Sequence, residues 1–444
     1  MKIFLLLILL LSAGLAPCHG AWWWPFGSPK SSKPELSPMD KPKPIKESTH
    51  APRPEDKPSV ARLEKMAKEG NPNAQLALGK IYFEGLVDTK PDHKKAFKLF
   101  MAAAVQDSPQ AMFNVGLCYD GGFGVNKNLL EALRWYHKAA DAGVPEAQIN
   151  AAIAAEQRGD YQTAMKYLRL RAAQGDTPAM YKVAIFLLNG LGEPTNPAEA
   201  VSYLLEASRR GNSRAQVRLA DCYQQGLGIE RNYAEMFNWL TLAAQDGDPE
   251  AQTKLGYCYQ KGYGTKPNAD LAFSWFKNAS AAAYGPSYIY LGDCYRYGDG
   301  TACDLGKAFE CYRAAAEQGE AIGAFNLAIA YSDGIGTPKD AAEALRWMRK
   351  AAEQGLAFAQ IQLGLYLQQG YGLTAPAPKE AIGWFEKAAE QQEPLAMLQL
   401  ATCYLQGIGT PVDLEAARKW LSQAAAGGNR QAISLYSEHF GSQP

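Results

Sequence analysis

Eight Gly-x-Gly pairs are the residues of this chain that most invite a chemical reading: Gly122/Gly124, Gly190/Gly192, Gly226/Gly228, Gly262/Gly264, Gly298/Gly300, Gly334/Gly336, Gly370/Gly372 and Gly407/Gly409. Any single pair could let backbone N–H groups cradle a phosphate. The other candidates are weaker. The five histidines stand at 19, 50, 93, 137 and 439, too scattered for a His-built metal site. A nucleophile needs an adjacent base. The chain has no Gly-x-Ser-x-Gly, His-Glu-x-x-His, Cys-x-x-Cys or Walker pattern to supply one. One Asn-Ala-Ser sequon begins at Asn278, relevant only in a eukaryotic secretory route.

The elements that carry these residues decide the matter. Small residues recur at Gly79, Gly116, Ala152, Ala184, Ala220, Gly256, Gly292, Ala328, Gly364 and Ala401, at intervals of 37, 36, 32, 36, 36, 36, 36, 36 and 37. A fixed period in this range marks a solenoid. It overrides the roughly three domains that 444 residues would otherwise suggest. A second small residue precedes each marker by five, as at Ala111, Ala215 and Ala251, and an aromatic often follows by three, as at Tyr119, Tyr223 and Tyr259. That is one face of a helix, helix A. Pro72, Pro109, Pro145, Pro249 and Pro394 open it, where a missing N–H is harmless. Each glycine pair falls at its end. Eight copies at one structural position are turn glycines, not eight nucleotide sites.

A second helix, B, follows the turn. Its marker is bulky: Leu99, Trp135, Tyr167, Tyr203, Trp239, Trp275, Cys311, Trp347, Trp384 and Trp420. One such residue per unit predicts core packing between stacked units rather than ligand stacking. A closing Ala pair, as in Ala139-Ala140, is usually followed by Gly, a left-handed C-cap. Cys118, Cys222, Cys258, Cys294 and Cys403 share one position on helix A. Neighbouring copies should lie roughly 8–10 Å apart, beyond the roughly 7 Å Cα limit of a disulfide. They read as small buried hydrophobes. Cys303 and Cys311 are extra, and Cys294–Cys311 across helices A and B is the more plausible bridge.

The pattern is seen whole in Ala111, Val115-Gly116, Tyr119, Gly122-Phe123-Gly124, Glu131-Ala132, Trp135-Tyr136, Ala139-Ala140 and Gly143. It resembles the Sel-one-like repeat (SLR) family, a branch of the tetratricopeptide superfamily, over about residues 60–440. The resemblance implies an all-α, α/α superhelical solenoid of about ten helix-turn-helix repeats, used as an interaction scaffold with no single partner and no cofactor. Repeat three departs from the pattern. It is four residues short and has Arg158-Gly159-Asp160 in place of the glycine pair, which predicts a local change of twist. Cysteine-rich secreted relatives carry a bridge per repeat, and this chain lacks that regular pairing. The expected organisation is a half-repeat cap at 60–70, ten repeats at 71–429 and a C-terminal cap helix at 430–440.

The N-terminus is different material. Lys2 precedes the apolar run Ile3–Leu11, then small residues, which reads as a signal peptide over 1–20. Lipidation of Cys18 is the competing reading, disfavoured by Pro17. Residues 21–59 hold nine Pro, interleaved with Lys, Ser and Glu, and read as an extended linker. Its head, Trp22, Trp23 and Trp24, suits peripheral membrane contact, an apolar groove on the protein itself, or a sticky end that packs nowhere in particular. No second apolar run is long enough to span a bilayer. The chain is read as exported, to a secreted, periplasmic or cell-envelope location.

The 45 basic and 45 acidic residues cancel and form no basic block, which argues against a nucleic-acid partner. Positions two before, one after and five after each marker form a variable i, i+3, i+7 stripe. In related superhelices helix A lines the groove, so the stripe should face it. In repeats five to seven these positions are Arg218, Asp221, Gln225; Lys254, Tyr257, Lys261; and Tyr290, Asp293, Tyr297. Repeats two to four have Leu117, Ile153 and Ile185 at the middle position. Tyrosine with mixed charge suits protein or peptide recognition. The candidate partner-binding residues are Arg218, Asp221, Lys254, Tyr257, Tyr290, Asp293 and Tyr297, and a merely solvated face is the alternative. Two functions stand: a non-enzymatic extracytoplasmic protein-interaction scaffold, or a cell-envelope polysaccharide or peptidoglycan factor with weak β-lactam-binding or hydrolytic activity, as the family resemblance allows.

Overall fold

The computed structural model describes residues 59–441 apart from 86–89. The N-terminal readings, meaning the signal peptide, Cys18, the Pro-rich linker and the three tryptophans, lie outside the described residues. From Ser59 onward the chain forms one compact unit. Among the described residues it contains 22 helices and no strand.

A lone helix, α1 (Val60–Lys68), precedes ten A–B pairs. The A helices are α2 (Pro72–Glu84), α4 (Pro109–Gly121), α6 (Pro145–Gln157), α8 (Thr177–Asn189), α10 (Ser213–Gln225), α12 (Pro249–Lys261), α14 (Gly285–Tyr297), α16 (Ala321–Asp333), α18 (Ala357–Gln369) and α20 (Pro394–Gln406). Their B partners are α3 (His93–Ala104), α5 (Leu129–Asp141), α7 (Tyr161–Ala173), α9 (Pro197–Arg209), α11 (Tyr233–Gln245), α13 (Ala269–Ala281), α15 (Leu305–Glu317), α17 (Ala341–Glu353), α19 (Pro378–Glu390) and α21 (Leu414–Ala426). Helix α22 (Arg430–Phe440) closes the stack. Each helix packs chiefly on its two sequence neighbours, the contact pattern of a solenoid. The A helix α14 also touches both α12 and α16, whereas consecutive B helices barely meet. The A layer is therefore the more tightly packed one in repeats six to eight.

The glycine pairs are turns, for two physical reasons. Gly226 ends α10 with φ 72°, and its N–H donates to the Cys222 carbonyl. Gly228, φ 71°, lies against the start of the preceding B helix: a β-carbon there would sit 2.2 Å from the Pro197 carbonyl oxygen. In repeat three the C-cap is Arg158 in right-handed conformation, and α7 starts after Asp160.

In most repeats the core wedge is the residue after the expected one; of the expected markers, Tyr167, Cys311 and Trp347 are buried. Trp135, Trp239, Trp275, Trp384 and Trp420 are half-buried, and only Trp347 among the helix B tryptophans is buried. The fully buried side chains are their C-terminal neighbours, among them Tyr136, Phe276, Tyr312 and Phe385, at 0% exposure. Three of the half-buried tryptophans carry a cation over the ring, with Lys387 3.9 Å from the Trp384 centroid, Lys138 4.5 Å from that of Trp135 and Lys419 5.4 Å from that of Trp420. Adjacent helical positions differ by about 100°, and the A–B crossing presents the second of the two to the core.

The five aligned cysteines are buried, and burial pushes the Cys258 thiol up to about 12. Cys294 and Cys311 share one apolar cluster with both thiols free; the bridge between them is not formed. Cys303 is exposed.

A recurrent device ties the units together. Gln75, Gln216, Gln252 and Gln360 each donate a side-chain N–H to a carbonyl near the end of the preceding B helix, at 3.1–3.2 Å. Each of these carbonyls also accepts the N–H of the glycine that follows the helix, so the glutamine adds a second bond at the helix end and reaches it from the next repeat.

Candidate partner-binding surface

The stripe on the A helices is a seam as much as a surface. Position minus two of one repeat meets position plus one of the repeat before it. Lys254 of α12 places Nζ 2.7 Å from an Asp221 carboxylate oxygen of α10, and 2.9 Å from Glu250 one turn earlier on its own helix. Arg218 donates to Asp221 at 2.8 Å and to both Glu250 oxygens at 2.9 and 3.0 Å. Two cations and two carboxylates thus close a neutral cluster, with Lys254 only 1% exposed. Burial alone would raise the Glu250 carboxyl, but Lys254 and Arg218 outweigh it and hold it below its usual range.

The same register places Tyr290 of α14 against Tyr257 of α12, ring centroids 5.8 Å apart and edge-on. Tyr290 stacks on the core residue Phe276 at 5.0 Å and 14°. Tyr257 contacts Tyr263, which stacks on Tyr233 at 5.1 Å and 18°. A continuous aromatic row therefore runs from the repeat-six turn into the core of the A–B pair. Asp293 accepts a 2.6 Å hydrogen bond from Tyr312. Burial raises its carboxyl to about 6, against the lowering effect of that bond and of Arg296.

Of the stripe residues in these repeats, Gln225, Lys261 and Tyr297 are exposed, and Tyr297 is 57% exposed. Arg218, Asp221, Lys254, Tyr257, Tyr290 and Asp293 lie in the seam, so the core does use positions that spacing suggested it did not need. Leu117, Ile153 and Ile185 are half-buried at the equivalent sites, and Lys182 pairs there with Glu156 at 2.6 Å. Glu250, Phe276 and the Tyr233–Tyr263 stack are additional members. Glu250 was legible as an i, i+4 partner of Lys254; the stack was not, because it joins a turn to a B helix. Among the described residues no group of three or more His, Cys, Asp and Glu could hold a metal ion. No described helix is long and apolar enough to cross a membrane.

The family model for the Sel1 repeat matches ten consecutive units, from 72–107 through 394–429. The chain belongs to the Sel1 repeat family. Sel1 repeat proteins generally mediate protein–protein interaction as non-catalytic scaffolds. Among solved structures, this Sel1 repeat protein is similar to c5321, a protective antigen of uropathogenic Escherichia coli with an SLR fold. The two are 32% identical, with a TM-score of 0.60 over 86% of this chain and 82% of that one. A Sel1 repeat protein from Oxalobacter formigenes is 29% identical, with a TM-score of 0.51 over 54% of this chain and 96% of its own. Among curated proteins, DAP3-binding cell death enhancer 1 of Rattus norvegicus is 37% identical over 95 residues, 21% of this chain and 18% of that protein. The ERAD-associated E3 ubiquitin-protein ligase component HRD3 of Candida glabrata is 38% identical over 69 residues, 16% of this chain and 8% of that protein. The chain thus spans less than a fifth of the length of these curated relatives.

Proposed function

We propose that this Sel1 repeat protein is a non-enzymatic, extracytoplasmic scaffold that holds a protein or peptide along the A-helix wall of repeats five to seven. The observation that carries the reading is the aromatic row Tyr233–Tyr263–Tyr257–Tyr290 set beside the closed Arg218–Asp221–Lys254–Glu250 cluster. Rings fixed by neighbouring rings, and charges fixed by one another, lose little freedom when a partner docks. Tyr297 projects beside them as the exposed anchor. Relatives whose names record a binding partner or a place in an assembly are consistent with this role. The export signal read at residues 1–20 supports the compartment.

The test uses the full chain as bait for an envelope and medium extract. Tyr297→Ala and Tyr257→Phe remove an exposed anchor and a hydroxyl while keeping the seam filled. Both should weaken capture, and Lys277→Ala with Arg313→Ala on the B layer should not. Equal capture by all variants would move the site off this wall. N-terminal sequencing of the mature protein should begin at Ala21; a mature chain that retains Met1 would sink the extracytoplasmic part.

A further inference from the structure

The B helices of this solenoid are capped by rule at their N-termini. Nine of the ten B helices begin with an Asn or Asp whose side chain accepts from the first turn, Ala377 being the exception. Among the A helices, repeats one, four, five and six do the same through Asn71, Asp176, Asn212 and Asp248, whereas Ser108 and Val144 in repeats two and three make no such bond. The next four abandon it together. Their N-cap residues are Tyr284, Glu320, Leu356 and Glu393, and none makes a side-chain cap bond. Asn429 then restores the cap at α22. Four successive repeats forgo a stabilising bond at one position and carry larger side chains there instead.

Those side chains form an edge of their own. Two residues on from each cap stand Pro286, Ile322, Phe358 and Leu395, where repeats one to six have Asn73, Gln110, Glu146, Pro178, Arg214 and Glu250. Ile322, Leu356 and Leu395 are half-buried, and Phe358 is 43% exposed. Glu320 lies against the first turn of α14: a β-carbon on Gly285 would sit 2.8 Å from its Oε1. Neither the Glu320 nor the Glu393 carboxylate has a hydrogen bond or ion pair among the described residues, and burial alone raises both. Two carboxylates that are partly desolvated and uncompensated beside an apolar strip are complementary to a cation flanking apolar groups.

We infer that the N-terminal edge of the A helices in repeats seven to ten docks an extended cationic, apolar segment of a partner protein, with Ile322, Leu356, Phe358 and Leu395 receiving its apolar side chains and Glu320 and Glu393 its cations. Glu320 and Glu393 are two A-helix spacings apart, about 20 Å at roughly 10 Å per helix. An extended chain covers that in about six residues at roughly 3.3 Å each. The partner segment therefore carries two basic residues about six positions apart with apolar residues between them. This surface stands apart from the tyrosine wall of repeats five to seven and does not require it.

A phage-displayed random twelve-residue library selected on the full chain tests this. Enriched peptides should be cationic and apolar with that spacing. As fluorescein-labelled peptides they should bind wild type and Tyr297→Ala equally. They should lose at least tenfold affinity to Glu320→Gln with Glu393→Gln, and again to Phe358→Ser. Glu320→Asp with Glu393→Asn, which restores capping side chains, should raise the melting temperature while weakening the same peptides; that readout separates lost recognition from lost folding. Failure to enrich peptides, enrichment of acidic ones, or affinity unchanged in the glutamine variant would overturn the proposal. Loss of binding in Tyr297→Ala alone would place the peptides on the other wall and overturn it as well.

Discussion

The Tyr136 ring lies directly over Gly116: a β-carbon at 116 would sit 2.5 Å from the ring's Cδ1 and Cε1. The relationship holds along the whole stack. Gly79, Gly116, Gly256, Gly292 and Gly364 face Phe100, Tyr136, Phe276, Tyr312 and Phe385. Where the marker is alanine, at Ala152, Ala184, Ala220, Ala328 and Ala401, the corresponding B residue is Leu168, Leu204, Leu240, Met348 or Leu421. A β-carbon opposite any of these rings would fall inside it, so a flat ring on one side requires the absence of a methyl on the other.

Gly116→Ala should therefore cost about 1–3 kcal/mol, the range for overpacking a filled core. Gly116→Ala combined with Tyr136→Leu recreates the Ala–Leu pairing used elsewhere in the stack and should recover most of that loss. Denaturant melts of the two single variants and the double variant measure the coupling. Additive losses would mean that the two sites do not share one gap.

Phe276→Ala should destabilise by about 3–5 kcal/mol, the cost of deleting a large buried side chain. Trp275→Ala, next to it and half-buried, should cost only about 2 kcal/mol of lost apolar burial. Trp239→Ala should behave like Trp275→Ala. Thermal melts of the three variants rank them, and a larger effect at Trp275 than at Phe276 would reverse the assignment of the core wedge.

Lys254→Met leaves Asp221 and Glu250 facing each other with Arg218 alone, and should cost about 3–5 kcal/mol, as removing one partner of a buried ion pair does. Because Lys254 and Arg218 hold Glu250 below its usual range, its contribution to stability is present above the unfolded carboxylate pKa and is lost as pH falls through the lower folded value. The variant, with Arg218 alone beside Glu250, should show less of that acid-side loss. An unchanged stability in Lys254→Met would show that the cluster is not held closed in solution.

Asp293 has the opposite sign. Its folded pKa of about 6 lies above that of an unfolded Asp, so the folded state binds the extra proton between roughly pH 4 and 6. Its ionisation therefore destabilises the fold as pH rises through that window, by at most about 3 kcal/mol. Asp293→Asn keeps an acceptor for Tyr312 and removes the titration. The difference in stability between the variant and wild type should grow in the variant's favour from pH 4 to pH 7; a flat difference would exclude this role.

Peptide-resolved labelling of the native protein should find Cys303 far faster than Cys118, Cys222, Cys258, Cys294 and Cys403. Burial hides those five and raises their thiols, so little thiolate is available to react. Rapid labelling of Cys222 or Cys258 would show that helix A is rotated from the register described.

Local spacing determined a great deal by itself. The 36-residue period, the A and B helices, the turn role of the glycine pairs and the burial of the aligned cysteines all follow from i, i+3 and i, i+4 relationships within one helix or one turn. The match of glycine to aromatic and alanine to aliphatic was also present in the chain, repeated ten times. What tertiary structure decided lies between helices. Trp275 and Phe276 both belong to the apolar stripe of α13, and only the A–B crossing turns Phe276 inward and leaves Trp275 at the rim. Lys254 and Asp221 stand 33 residues apart on separate A helices, and only the stacking of successive A helices brings them to 2.7 Å. The uncapped edge from Tyr284 to Glu393 likewise becomes one surface only when successive repeats lie side by side. Helical periodicity specifies which face of a helix is apolar, whereas the angle and separation at which two such faces meet depend on every side chain in the contact.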